Sequence, residues 1–304
     1  MKKDSGKLIL AYILLGVIAA ALLITLIILP PAGVKKSPAG TETDVQRHED
    51  TAAGQERKTV PEKTVKEPSS DEKTVKGRLI FVIDDVGNNV DQLKPFLELP
   101  FKITFAILPG LPYTEKAARM IHDAGKEYIL HQPMEAVSGK KTGPGAIRSG
   151  MSLETVRMVL TENLKPLPFA AGVNNHMGSA GTADIDLMVS LFTVLKEKGM
   201  FFLDSRTTSF SVGAEAAGQV GLPFAERSVF LDNNKEKKAI KDSVEKGVEI
   251  SEKKGHAVMI GHIWSSELAE VLLELYPALL EDNYTLNNLT ELFMGYKDDE
   301  DTWY

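Results

Sequence analysis

Asp, Asn and His residues stand directly behind short β-branched or aromatic runs along this chain. Asp84 and Asp85 follow LIFVI (79–83), His131 follows EYIL (127–130), and Asn174, Asn175 and His176 follow FAAGV (169–173). Asp204 follows MFFL (200–203), Asp232 follows SVFL (228–231), and His262 stands two residues past AVMI (257–260). Imidazoles beside carboxylates serve two kinds of chemistry, cation ligation and proton transfer. The 304 residues contain no Cys, which removes a thiolate nucleophile, a zinc finger and an iron–sulfur cluster. Three His with nearby carboxylates suit a divalent cation, Zn²⁺ first among them. Metal-assisted hydrolysis needs ligands with an open position, a base for water and an acid for the leaving group. The set holds a candidate for each. His48, His122 and His256 fall in a polar stretch, in a helical segment and at the entry to a strand, where an ordinary role is the expectation.

Those residues need a scaffold that brings strand ends together. Short apolar runs at 79–83, 102–107, 127–130, 169–173, 200–203, 228–231 and 257–260 alternate with segments of helical period. The helices are expected near 89–97, 113–124, 152–164, 183–198, 235–254 and 266–280, with a last short one near 287–293. Asp184 and Asn234 suit N-caps; Gly125, Gly199 and Gly255 suit helix C-termini. This alternation marks parallel βαβ units, whose strands all end at one rim, where ligands bind. Seven strands predict an α/β barrel slightly smaller than the eightfold one, with an open doubly wound sheet as the alternative. No Gly-rich phosphate loop follows the first strand, so a dinucleotide site is disfavoured. Gly261, before His262, is expected to let the backbone pass close to a ligand.

The N-terminal quarter is different. Leu8 to Leu29 carry no charge, and as a helix they would reach about 33 Å, enough to span a bilayer. Lys2, Lys3 and Lys7 precede the run, so residues 1–7 are expected in the cytoplasm and everything beyond 29 outside it. A cleaved signal peptide is the alternative, although its apolar region is usually only about 7–15 residues. Residues 30–76 hold few large apolar side chains and repeat Glu-Lys-Thr-Val-Lys at 62–66 and 72–76. They read as a disordered spacer reaching on the order of 40 Å. The net charge of −7 is concentrated beyond it, where residues 77–304 carry 23 Lys+Arg against 32 Asp+Glu. That balance, without a basic stripe, argues against nucleic acid as a ligand.

In IDDVGNN (83–89), ITFAILPGLPY (103–113), LHQPMEA (130–136), GVNNHMGSAGT (172–182), FFLDSRT (201–207), VFLDN (229–233) and IGH (260–262), the chain resembles the divergent polysaccharide deacetylases. These are a remote branch of the NodB-type carbohydrate esterases. The resemblance implies that residues 77–304 form a distorted seven-stranded β/α barrel. It further implies a metal-dependent hydrolase that removes acetyl groups from an envelope polysaccharide, the divalent cation being zinc by the expectation above. By the family pattern Asp84 is the base, Asp85 and His131 are metal ligands, His262 is the general acid and Asp204 orients the machinery. The family's second motif histidine is missing; Glu135 stands at its position. His176 is the expected replacement ligand, with Glu135 in a supporting place or as the alternative. Arg206 stands in for the family's arginine. Asn175, Arg206 and Trp264 are the substrate-contact candidates, and Trp264, Phe210 and Tyr113 offer faces for stacking sugars. Ile263-Trp264 replaces the Pro-His that often follows Gly-His in this branch. A non-catalytic envelope-binding protein that keeps the fold is the alternative.

Overall fold

The computed structural model describes residues 74–294. The apolar run at 8–29 and all but the last residues of the 30–76 spacer lie outside them. Among the described residues no helix is long and apolar enough to cross a membrane.

The chain alternates strands and helices: β1 (Gly77–Val86), α1 (Lys94–Leu97), β2 (Thr104–Ile107), α2 (Thr114–Asp123), β3 (Glu127–Met134), α3 (Leu153–Leu164) and β4 (Gly172–Met177). It continues with α4 (Ile185–Glu197), β5 (Phe201–Asp204), α5 (Gly213–Val220), β6 (Phe224–Glu226), β7 (Val229–Phe230), α6 (Lys237–Lys254), β8 (His256–His262), α7 (Ser266–Glu281) and β9 (Tyr284–Asn287). All strand pairs are parallel, in the order β6-β5-β4-β3-β2-β1-β8-β7, with β9 beside β1. The strands read as nearly unbroken apolar runs because both faces are covered. Asp184 caps α4, accepting from the Leu187 N–H. Asn234 instead bonds the Glu236 N–H in the turn ahead of α6.

The sheet curls, but not as seven strands. The expected strand at 228–231 is present as β7, which pairs β8, and an unexpected strand, β6, stands just ahead of it and pairs β5. Between them the Arg227 N–H bonds the Asp204 carbonyl at 2.9 Å and the Ser228 N–H bonds the Val258 carbonyl at 2.7 Å. One short segment therefore changes partners, and the path has eight strands. The expected short C-terminal helix near 287–293 is preceded by an unexpected strand. β9 fills the wedge beside residues 77–80 of β1, below the stretch that β2 pairs, and only Leu289–Leu292 turns helically, as a 3₁₀ segment. Leu289 closes the lower mouth of the sheet, its N–H bonded to Glu127 Oε1 at 2.9 Å.

Alternation along the strands separates two cores. Leu79, Phe81 and Ile83 face the helices, while Ile80, Val82, Ala106, Ile129, Leu203, Val258 and Ile260 fill the concave side. Phe201 occupies the space left by Gly172, where a Cβ would meet its ring at 2.3 Å. The concave rows end in polar side chains: Ile80 and Val82 lead to Asp84, Ile129 to His131, and Ile260 to His262. The site thus stands directly on top of the inner core.

Candidate functional site

Alternation alone would send Asp84 and Asp85 to opposite faces. A bulge prevents this: Ile83 pairs Phe105 and Val86 pairs Ile107, so three steps of β1 match two of β2. Asp85 takes a left-handed conformation, φ 65°, and both carboxylates reach the pocket. A non-glycine residue held there stores on the order of 1–3 kcal/mol, strain that concentrates at functional sites.

Asp85 meets two histidines. Its Oδ1 lies 3.3 Å from His131 Nε2 and 3.0 Å from His176 Nδ1, and the two nitrogens are 3.2 Å apart. Among the described residues this trio is the group able to hold a metal ion. Atoms about 2.0–2.2 Å from one Zn²⁺ have this mutual spacing. Two further observations fit a cation. Asp85 Oδ1 is buried without a hydrogen-bond partner. His131 Nδ1 donates to Asn174 Oδ1 at 2.8 Å, which leaves Nε2, the nitrogen toward Asp85, for a cation or a second proton. The His131 side chain is only 3% exposed, but His176 and Asp85 keep 25% and 22%, which leaves the trio open on its outer side.

Asn174, in register with His131, links the trio to Asp84. Its Nδ2 donates to Asp84 Oδ1 at 2.8 Å, leaving Oδ2 free, 3.7 Å from His131 Nε2. Burial pushes the Asp84 carboxyl above the usual carboxylate range, against the pull of His131 and His262. Burial opposes charge on Asp85 too, but the His131 and His176 imidazoles beside it hold its carboxyl far below that range. Burial also disfavours a charged His131, yet Asp84 and Asp85 outweigh it and raise its pKa. The pocket therefore stabilises positive charge, whether a proton or a cation.

His262 pairs with Asp84 across β1 and β8. Its Nδ1 bonds Asp232 Oδ1 at 2.9 Å, and its own N–H bonds Asp232 Oδ2 at 2.7 Å. The carboxylate fixes the proton on Nδ1 and leaves Nε2 for the pocket. Burial lowers the His262 pKa, but Asp232 and Asp84 more than reverse this and raise it. Phe230 and Trp264 stack against the imidazole, with centroids 5.8 and 4.9 Å away.

The remaining sequence expectations, Trp264 apart, fall elsewhere. Asp204 has the strand parity of Phe202 and faces α5, where it accepts from Ser211 Oγ at 2.5 Å and the Arg206 N–H at 2.7 Å. The carboxylate that holds His262 is therefore Asp232 and not the expected Asp204. The Arg206 guanidinium pairs with Glu226 at 3.2 Å and not with the cluster. Asn175 is buried, its amide bridging the Ser205 N–H and the Met177 carbonyl, so it presents nothing to a substrate. Glu135 accepts from the Ser149 N–H at 3.0 Å and stays out of the trio. Trp264 donates from Nε1 to Asp85 Oδ2 at 3.3 Å. Tyr113 and Phe210 remain exposed, 41% and 79%. Gly261 makes room for α7 and not for a ligand, since a Cβ there would lie 2.2 Å from Leu268 Cδ2. His122 stacks on Phe169 on the outer surface, an ordinary packing role. Asn174 and Asp232 are visible in the sequence as strand-end residues, but nothing there assigns them partners. Arg227 has no such signal. It bonds the Ser205 and Arg206 carbonyls at 2.8 and 3.1 Å, and its charge bears on Asp204 and Asp84.

An uncharacterized protein of Haemophilus influenzae is 36% identical over 185 residues, covering 61% of this chain and 66% of that one. The uncharacterized protein YibQ of Escherichia coli is 30% identical over 186 residues, covering 61% and 58%. The chain thus spans somewhat under two thirds of these relatives. An uncharacterized protein of Agrobacterium tumefaciens shares the fold at a TM-score of 0.68, with 17% identity over 74% of this chain and 92% of that one. The family model described as divergent polysaccharide deacetylase matches residues 81–293, from β1 through the segment that closes the lower mouth, and the chain belongs to that family.

Proposed function

We propose that the protein is a membrane-tethered, zinc-dependent deacetylase of an envelope polysaccharide. The observation that carries this reading is the convergence of Asp85 Oδ1, His131 Nε2 and His176 Nδ1 beside a buried Asp84 and an Asp232-held His262. Two histidines and a carboxylate with an open side are the donor set of a catalytic zinc. When bound, the cation supplies Lewis-acid polarisation of the acetyl carbonyl and of the attacking water. Asp84 takes the proton from that water through Oδ2, its other oxygen being held by Asn174. His262 gives a proton from Nε2 to the departing amine or alcohol, and Asp232 holds the ring for the transfer. The concave floor of Ile80, Val82 and Ile260 keeps water from below. The tether rests on Lys2, Lys3, Lys7 and the uncharged run at 8–29, which favour an outward-facing catalytic domain.

The acid is the most exposing part to test. His262→Ala is expected to retain zinc and lose about 10²–10⁴-fold in kcat. His262 must be protonated to act, and its raised pKa keeps it so above the ordinary His range; wild-type activity falls as pH rises through that pKa. The high-pH limb should vanish in the variant, and the loss should shrink on acetyl esters with good leaving groups. Equal losses on activated and unactivated substrates would show that His262 is not the acid. Stoichiometric zinc without turnover on any acetylated substrate would favour a non-catalytic envelope-binding protein.

A further inference from the structure

We propose that Trp264 is a positioning residue of the metal centre, whose indole N–H holds one oxygen of Asp85 so that the other is presented to the cation. The inference rests on the zinc reading of Asp85, His131 and His176. Trp264 Nε1 donates to Asp85 Oδ2, while Oδ1 is the atom that faces both histidines and lacks a hydrogen-bond partner. The two oxygens of one carboxylate are thus given different work. A ligating carboxylate with both oxygens free rocks between one-point and two-point attachment; a fixed donor on one oxygen removes that freedom. The indole is itself held. Its ring lies 4.9 Å from the His262 imidazole at an interplanar angle of 16°, and Lys235 Nζ stands 4.3 Å over it. Trp264 therefore joins the cation ligand to the acid side chain. A sugar platform needs only the ring face and would be indifferent to the N–H.

Trp264→Phe separates the two roles, because it keeps an aromatic face and deletes the donor. Zinc affinity of the full-length protein, measured by competition with a chromophoric chelator, is expected to fall about 10–100-fold, the usual effect of losing a group that orients a metal ligand. A second measurement needs no change at Trp264. The chain has two tryptophans, so Trp303→Phe leaves Trp264 as the sole one. Its emission should then change on zinc titration and stop at one equivalent. Unaltered zinc affinity in Trp264→Phe, or emission unmoved at zinc saturation, overturns the proposal while the zinc site stands. Failure of the unaltered protein to take up stoichiometric zinc overturns the zinc reading and this proposal with it.

Discussion

His131 and Glu135 occupy positions four apart, yet only His131 points into the pocket. Asn174 holds its far nitrogen, and two carboxylates lie within 3.7 Å of the near one. Changing His131 to Ala removes a central donor and should abolish stoichiometric zinc, while the far-ultraviolet circular dichroism stays native. Glu135→Ala should leave zinc affinity within a few-fold, because that carboxylate serves the Ser149 backbone. Metal analysis after dialysis checks both, and the reverse ranking would move the third ligand from His176 to Glu135. The sequence exposes the residue types of the site more readily than their partners. His131, His176 and His262 stand out because a histidine behind a strand has no capping role to explain it. Asp204 misleads for the opposite reason. It also follows a strand, but its parity puts it on the helix side, which no composition reveals.

Elements decide that parity. The bulge at Ile83–Val86 carries Asp85 to the same side as Asp84, and the only trace of it in the sequence is a pair of carboxylates where alternation allows one. Parallel strands were legible as apolar runs because both of their faces are covered. The split of 224–230 between two partners was not, since each piece is too short to show a period. β9 was also hidden. Tyr284-Thr285-Leu286-Asn287 alternates over too few residues to outweigh the helical turn that follows. Gly261 illustrates a position where the element demands the residue. Gly261→Ala would push a methyl into Leu268 Cδ2 of α7, a fully buried side chain. Overpacking of this kind costs about 1–3 kcal/mol. A lowered denaturation midpoint with unchanged m-value should report it, together with weakened activity as His262 shifts; a neutral substitution would show that α7 adjusts freely.

At the scale of the whole molecule, the family assignment covers residues 81–293, and the proposed function adds to it the sequence expectation that the uncharged run at 8–29 is a membrane anchor. On the proposed function, outward display of residues 77–304 would make an envelope glycan accessible. A reporter that works only in the cytoplasm, fused after Tyr304, should stay dark, and a bright fusion would remove the envelope substrate from the proposal. The central claim is that Asp84, Asp85, His131, His176 and His262 form one zinc-dependent deacetylating centre. Acetate release from an N- or O-acetylated envelope polysaccharide, followed for the full-length protein before and after chelation and again after zinc is restored, tests it most directly. The account predicts release that stops on chelation, returns with one equivalent of zinc and is absent in Asp84→Asn at any zinc concentration. Acetate released equally with and without chelator, or equally by Asp84→Asn, would contradict it.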